Sequence, residues 1–191
     1  MARDLDVIRR YCTIGAEEER QLTGTQAPIV LLSADGPQRL PPAVAPGLDT
    51  LGFMLPTTPL HFLLLQDIDG PLVMTSGNIS EEPPVIDDGE ARRRLAAIAA
   101  YALVHDREIA KRVDDSVVRF ADGKSRVLRR ARGFAPSPIK LPAGFAAAPE
   151  LLAMGGELKA TFCLLKDGQA VLSQHQGDLE NAATCPAPRV L

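Results

Sequence analysis

A chain of 191 residues with 46% hydrophobic and 24% charged side chains is long enough to bury a core, and reads as a globular protein of one domain or slightly more. Its 21 basic and 24 acidic residues leave a net charge of −3, too small to suggest by composition a polyanion binder or a membrane-surface protein, though it does not exclude a local basic patch. Cys12, Cys163 and Cys185 show no metal-ligand spacing, no apolar run is long enough to span a bilayer, and Met1–Asp6 has no apolar signal core. A disulfide framework, a structural zinc site and a membrane role are therefore not expected, and a reducing cytoplasm is the natural setting.

Residues 1–24 read as helical, with Leu5, Ile8 and Leu22 among charged neighbours and Gly15 or Gly24 as stops. Pro28–Leu32 is a short apolar run suited to a buried strand, and Gly36–Gly47, with four prolines, is a loop. Leu51–Leu55 is a second strand, after which Thr58 caps and Pro59 opens a helix whose residues Leu60–Gln66 read as fully buried. Pro71–Thr75 is a third strand running into the polar turn Ser76–Ser80. Asp87–Ala100 carries a capping pair, Asp87 and Glu90, followed by apolar Leu95 and Ile98 at helical spacing.

Tyr101–His105 reads as a further strand, and Ser116–Phe120 with Arg126–Arg130 as a pair around Asp122-Gly123. A Pro-rich, charge-poor stretch near 134–149 marks a boundary. Beyond it Leu151–Met154 is a strand, and Thr161–Leu165 with Ala170–Gln174 form a hairpin around Asp167-Gly168. The expected class is α/β with a mixed sheet. The expected domains are 1–135, a linker 136–149, and 150–191, where about forty residues are too few to close a core alone.

Three clusters carry chemistry. Thr75-Ser76-Gly77-Asn78 lies where a strand ends, the edge at which open α/β sheets bind ligands, and its hydroxyls and carboxamide suit phosphate or carbonyl oxygens. The same spacing also fits an ordinary strand-to-loop turn. Arg107, Lys111, Arg112, Asp114, Asp115, Ser116, Arg119, Arg126, Arg129, Arg130 and Arg132 offer guanidinium forks for phosphate or carboxylate, or equally a solvated charged hairpin. Gly155-Gly156-Glu157-Leu158-Lys159 is a weak phosphate cradle. His61, His105 and His175 stand singly and read as structural, Cys163 reads as a small buried hydrophobe, and no Ser/His/Asp nucleophile arrangement stands out.

In order along the chain, Ala27–Leu32, Val44–Leu48, Met54-Leu-Pro-Thr-Thr-Pro-Leu-His61, Pro71-Leu-Val-Met-Thr-Ser-Gly-Asn78, Arg112-Val-Asp-Asp-Ser-Val117, Arg129-Arg-Ala-Arg-Gly133, Gly156-Glu-Leu-Lys159 and Ser173–Asn181 resemble the HypF-type carbamoyltransferases. Only the tail after Thr184 looks unlike them. The resemblance implies a YrdC-like twisted mixed sheet with flanking helices, then the first strands of an actin-like, Kae1-like ATPase domain. It implies activation of carbamoyl phosphate with ATP, and Mg²⁺, to carbamoyl-adenylate and pyrophosphate, and transfer of the carbamoyl group to the C-terminal cysteine of the partner HypE in nickel–iron hydrogenase maturation.

By the same likeness Thr75, Ser76 and Asn78 would hold the nucleotide or acyl phosphate. Arg112, Asp115, Ser116, Arg130 and Arg132 would line the phosphate or ribose site, and Lys159 would approach a second nucleotide. Adenylation needs charge neutralisation at phosphorus more than a covalent nucleophile, which agrees with the residue types present. The family's acylphosphatase domain, zinc motifs, first YrdC-like strands and Kae1-like histidines have no counterpart here. The chain thus reads as a fragment expected to be inactive alone. Two other readings remain: a threonylcarbamoyl-adenylate synthase of tRNA modification, and a double-stranded RNA-binding module using the Arg107–Arg132 cluster.

Overall fold

In the computed structural model the structure describes residues 1–179 apart from 81, 146, 158, 159, 175, 177 and 178. The chain divides into two compact units, Met1–Met74 with Asp115–Phe134, and Thr75–Asp114 with the residues from Ala135 onward.

In the first unit the helical opening is two helices, α1 (Leu5–Arg9) and α2 (Ala16–Thr23). Asp4 caps α1 by accepting the Val7 N–H at 2.9 Å. Glu18 accepts the Gly15 N–H at 2.8 Å, so Gly15 starts the second helix and Gly24 ends it. Strands β1 (Ile29–Ser33) and β2 (Thr50–Phe53) follow, then α3 (Pro59–Leu65), β3 (Val117–Ala121) and β4 (Lys124–Arg129). The sheet order is β2-β1-β3-β4, with β1 and β3 parallel and the other pairs antiparallel. This is the mixed α/β sheet the sequence implies.

Alternation on β1 sends Val30 and Leu32 inward, where they meet Val7, Ile8, Cys12, Leu22, Phe53 and Val118. A smaller cluster joins Met1, Met54 and Leu65. The β3–β4 turn has Asp122 at φ 54° and Gly123 at φ 72°, the left-handed pair a two-residue hairpin needs.

Three expectations fail here. Helix α3 is capped by Thr58 and opened by Pro59 as expected, but only Leu65 is fully buried, while Leu60, Phe62, Leu63 and Leu64 are exposed. One side of a seven-residue helix meets the core, and among the described residues nothing covers the other. Pro71–Thr75 forms no strand, because among the described residues its only pairing is with the single residue Met1: the Met1 amine donates to the Leu72 carbonyl at 2.7 Å and the Leu72 N–H returns to the Met1 carbonyl at 2.8 Å. Tyr101–His105 likewise has no strand partner among the described residues, and Tyr101 is 94% exposed.

The second unit holds α4 (Asp88–Arg94) and the strands β5 (Ile139–Lys140), β6 (Leu151–Met154), β7 (Phe162–Lys166) and β8 (Gln169–Leu172). Asp87 caps α4 through the Glu90 N–H at 2.7 Å, but the helix ends at Arg94, short of the expected Ala100. Ile98, on the anticipated apolar stripe, is 68% exposed, and a helix this short relies on packing for its stability. The antiparallel sheet runs β5-β8-β7-β6, with Asp167 and Gly168 at positive φ in the expected β7–β8 turn. Cys163 is half-buried rather than buried, because it sits opposite Ala153 of the edge strand β6, which is exposed along its whole length. No helix among the described residues is long and apolar enough to cross a membrane.

Candidate functional site

Four of the anticipated residues, Asp115, Ser116, Arg130 and Arg132, converge at the start of β3 and the end of β4. The pairing places Val117 opposite Arg129 but Val118 opposite Val127, so Leu128 is an extra residue. Such a bulge bends the strand and re-aims the residues beyond it. Here it turns Arg129-Arg-Ala-Arg132 back across Asp115 and Ser116.

Ser116 is fully buried, and its hydroxyl joins the two segments in both directions. It accepts the Ala131 N–H at 2.8 Å and donates to the Arg132 carbonyl at 2.9 Å. In this chain the hydroxyl binds backbone at both ends and holds the arginine segment against the start of β3. The Asp115 carboxylate accepts from Arg132 Nε at 2.7 Å, and the Asp115 carbonyl accepts from Arg129 Nε at 2.7 Å. Arg130 donates to the Phe134 carbonyl at 2.8 Å with its guanidinium 5.9 Å from the Phe134 ring centroid.

Arg132 also donates to the Ala27 carbonyl at 3.0 Å. Ala27 has φ 42°, a left-handed conformation that strains a residue bearing a Cβ. Gly133, at φ 85°, lies so close to Gln26 that a Cβ would stand 2.1 Å from its carbonyl oxygen. Sequence reasoning missed Ala27 and the close approach of Gly133. The glycine after the arginine run was the available sign, whereas nothing local marks an alanine for positive φ.

Ala27 also lines an open cleft of about 520 Å³ in this unit, with Arg3, Arg9, Leu22, Leu55 and Phe62, within the size range of small-molecule sites. Both of its arginines already face carboxylates, Arg3 with Asp4 at 3.0 Å and Arg9 with Glu19 at 2.7 Å.

The second unit holds the other anticipated residues. Ser76 donates to the Asn78 side-chain oxygen, and Asn78 Nδ2 donates to the carbonyls of Ile79 at 2.9 Å and Glu82 at 2.8 Å. The Val85 N–H closes the turn on the Gly77 carbonyl at 2.9 Å. Asn78 therefore orders the loop, while Thr75 and Ser76 are exposed on it. Arg112 Nε donates to the Pro84 carbonyl at 2.7 Å, and the Arg112 carbonyl accepts from Gln174 at 2.8 Å. Lys159, His175 and Cys185 lie outside the described residues. His61 Nδ1 accepts the Thr57 N–H at 3.3 Å, and His105 Nδ1 accepts the Arg107 N–H at 3.2 Å.

Arg112 and Arg129 are each held at Nε by a carbonyl, and a guanidinium carries five N–H donors, so a fixed fork remains to meet an oxyanion. No group of three or more His, Cys, Asp or Glu side chains that could hold a metal ion occurs among the described residues.

Comparison with known proteins defines the class. Residues 1–131 match the family model for Sua5/YciO/YrdC proteins, described as "telomere recombination", and the chain belongs to that family. Residues 146–189 match the HypF Kae1-like domain, and the succession of the two matches is that of a HypF-type carbamoyltransferase.

The chain is 50% identical to the carbamoyltransferase HypF of Rhodobacter capsulatus over 98% of its own length and 25% of the relative's. It is 48% identical to that of Synechocystis over 87% and 22%. A crystal structure of full-length HypF in the phosphate- and nucleotide-bound form superimposes with a TM-score of 0.87 at 47% identity, covering 96% of this chain and 29% of that one. HypF of T. kodakarensis gives the same TM-score, 0.87, at 39% identity, covering 96% of this chain and 24% of that one. The chain thus spans about a quarter of the length of the curated relatives it matches.

Proposed function

We propose that this chain supplies the carbamoyl- and nucleotide-handling part of a HypF-type carbamoyltransferase acting in the cytoplasm. The observation that carries the reading is its likeness, at 47% identity, to a HypF solved with phosphate and nucleotide bound. The reaction consumes carbamoyl phosphate, ATP and water and yields carbamoyl-adenylate, phosphate and pyrophosphate. Water first cleaves the acyl-phosphate bond to give carbamate and phosphate; a carbamate oxygen then forms the bond to the α-phosphorus and the bond to pyrophosphate breaks. The cysteine thiolate of HypE then takes the carbamoyl carbon and AMP leaves. Mg²⁺ enters as part of the nucleotide substrate, on its phosphates.

In this scheme Thr75, Ser76 and the loop ordered by Asn78 receive the carbamoyl or phosphate oxygens. In the second unit Arg112 supplies positive charge toward those oxygens; in the first, Arg130 and Arg132 are the phosphate- or ribose-binding groups, with Asp115 and Ser116 holding the arginine segment in place, and Lys159 serves a second nucleotide. The pinned guanidiniums also bear on the RNA-binding alternative. Arg126 and Arg132 are paired with the Asp122 and Asp115 carboxylates, which lowers the net positive charge this segment offers a polyanion.

The test is a chimera: residues 1–179 replace the matching segment of R. capsulatus HypF, and carbamoyl-phosphate-dependent ATP–pyrophosphate exchange is measured. The expected result is exchange in the chimera, none in the isolated chain, and a loss of about 100-fold on Ser76→Ala with Asn78→Ala. A folded chimera without exchange overturns the proposal. Exchange that requires threonine and bicarbonate instead makes the synthase reading correct.

A further inference from the structure

Residues 75–87 form no helix or strand among those described, so the Thr75–Asn78 loop is shaped by side chains and by neighbouring segments. Those ties meet in the stretch Glu82–Val85. The Glu82 carbonyl accepts from the Asn78 carboxamide at 2.8 Å, and the Val85 N–H donates to the Gly77 carbonyl at 2.9 Å. The Pro84 carbonyl accepts from Arg112 Nε at 2.7 Å. The loop that presents Thr75 and Ser76 and the guanidinium of Arg112 thus hang from one short piece of backbone, whose placement fixes their separation.

That piece is itself held by α4. The Arg94 guanidinium donates to Glu90 at 2.6 Å and pairs with Glu82, and all three side chains are half-buried. The next residue, Leu95, lies against the loop, since a Cβ on Gly77 would stand 3.7 Å from Leu95 Cδ1. Helix α4 has seven residues and buries none of them, too little to stand by propensity, so helix and loop hold each other. Ion pairs at this exposure add little to global stability. Removing the guanidinium, however, leaves Glu82 and Glu90 facing each other as like charges, and the segment moves apart. The arrangement therefore sets position more than it holds the fold.

We propose that Arg94 is a positioning residue: through Glu82 it places the Glu82–Val85 segment, and so sets the distance between Ser76 and Arg112 across which a phosphate or carbamoyl oxygen is held. Arg94 acts without touching the ligand, its guanidinium being taken up by the two carboxylates. The inference deepens the proposed reaction and rests on its assignment of Thr75, Ser76 and Arg112 to the acyl phosphate. The geometry it invokes is readable without turnover.

The experiment has two arms. In the chimera with R. capsulatus HypF, carbamoyl phosphate is titrated in the pyrophosphate-exchange assay. Arg94→Ala should raise its KM about fivefold and change kcat by about twofold or less, as loss of uniform binding does. Arg94→Lys keeps the charge without the planar fork and should fall between. Glu82→Gln should raise KM similarly, and adding Arg94→Ala to it should change nothing more, because the two form one tie. Arg92→Ala removes the same charge from an exposed position of α4 and should leave KM unchanged.

In the 191-residue chain, amide hydrogen exchange followed by NMR reads the Val85 N–H, which Arg94→Ala should expose about fivefold faster while the amides of β3 and β4 keep their rates. Unchanged KM or unchanged Val85 exchange overturns the proposal. So does an additive double variant, or a fall in kcat together with far-UV circular dichroism, which marks a role in the fold alone. A wild-type chimera that does not turn over condemns the carbamoyl reading, and the Val85 amide then decides the positioning by itself.

Discussion

Replacing Ser116 with Ala removes one oxygen atom and two hydrogen bonds from a fully buried position. The Ala131 N–H, buried with its residue, then has no acceptor in place of one at 2.8 Å, a loss of about 1–3 kcal/mol. The Arg132 carbonyl loses its 2.9 Å donor, adding about 1 kcal/mol. The sum, about 2–4 kcal/mol, is a large fraction of a domain stability of about 5–15 kcal/mol. With a mid-range urea m-value of about 2 kcal/mol/M the midpoint should fall by roughly 1–2 M at unchanged m. The local signature is sharper, since about 2 kcal/mol corresponds to about a 30-fold loss of protection at the Ala131 amide. Ser116→Cys, nearly isosteric with a weaker donor and acceptor, should fall between Ala and wild type. The reasoning is refuted if Ser116→Ala shifts neither the midpoint nor the exchange of Ala131.

Gly133→Ala sets a Cβ 2.1 Å from the Gln26 carbonyl at φ 85°, so it should destabilise by about 2 kcal/mol or more in urea unfolding, whereas Gly144→Ala, where the space is open and φ is not positive, should be neutral or stabilising by up to about 1 kcal/mol. The carboxyls of Asp4 and Asp35 are held below their usual range first by N–H donation from Val7 and Thr13, and that of Asp69 by Arg10. Depressed folded values mean stability present above an unfolded pKa of about 3.9 and lost as pH falls through them, so a pH series of urea midpoints should drop below about pH 4 and drop less in Asp35→Asn with Asp69→Asn. Burial pushes the Cys12 thiol up to about 11. Its contribution is therefore present below pH 9 and lost on going to about pH 11, and Cys12 should resist alkylation at about pH 8 until urea unfolds the chain, as mass mapping would show.

The elements readable in the sequence were those whose stabilising contacts are local. Thr58-Pro59, Asp87 with Glu90, and the two Asp-Gly turns announce helix starts and hairpins because cap and turn chemistry acts over two to four residues. Pro71–Thr75 and Tyr101–His105 carry the composition of buried strands, but a strand also needs a neighbour, which composition does not encode. The site divides the same way. The run Arg129-Arg-Ala-Arg132 was legible as a phosphate-seeking group, while the bulge at Leu128, the strained Ala27 and the inward turn of the Ser116 hydroxyl arise from pairings up to 105 residues apart.

The parallel pairing of Ile29 with Val117 also imposes a schedule on synthesis. The chain leaves the first unit after Met74 and returns at Asp115, so β1 is made long before the strand it must lie beside. At about 5–20 residues per second, the 83 residues between Ser33 and Val117 take roughly 4–17 s to emerge. Through that interval β1 has only β2 for company and one edge open. The arginine segment, made last and latched by Ser116, closes a sheet that has been waiting for it.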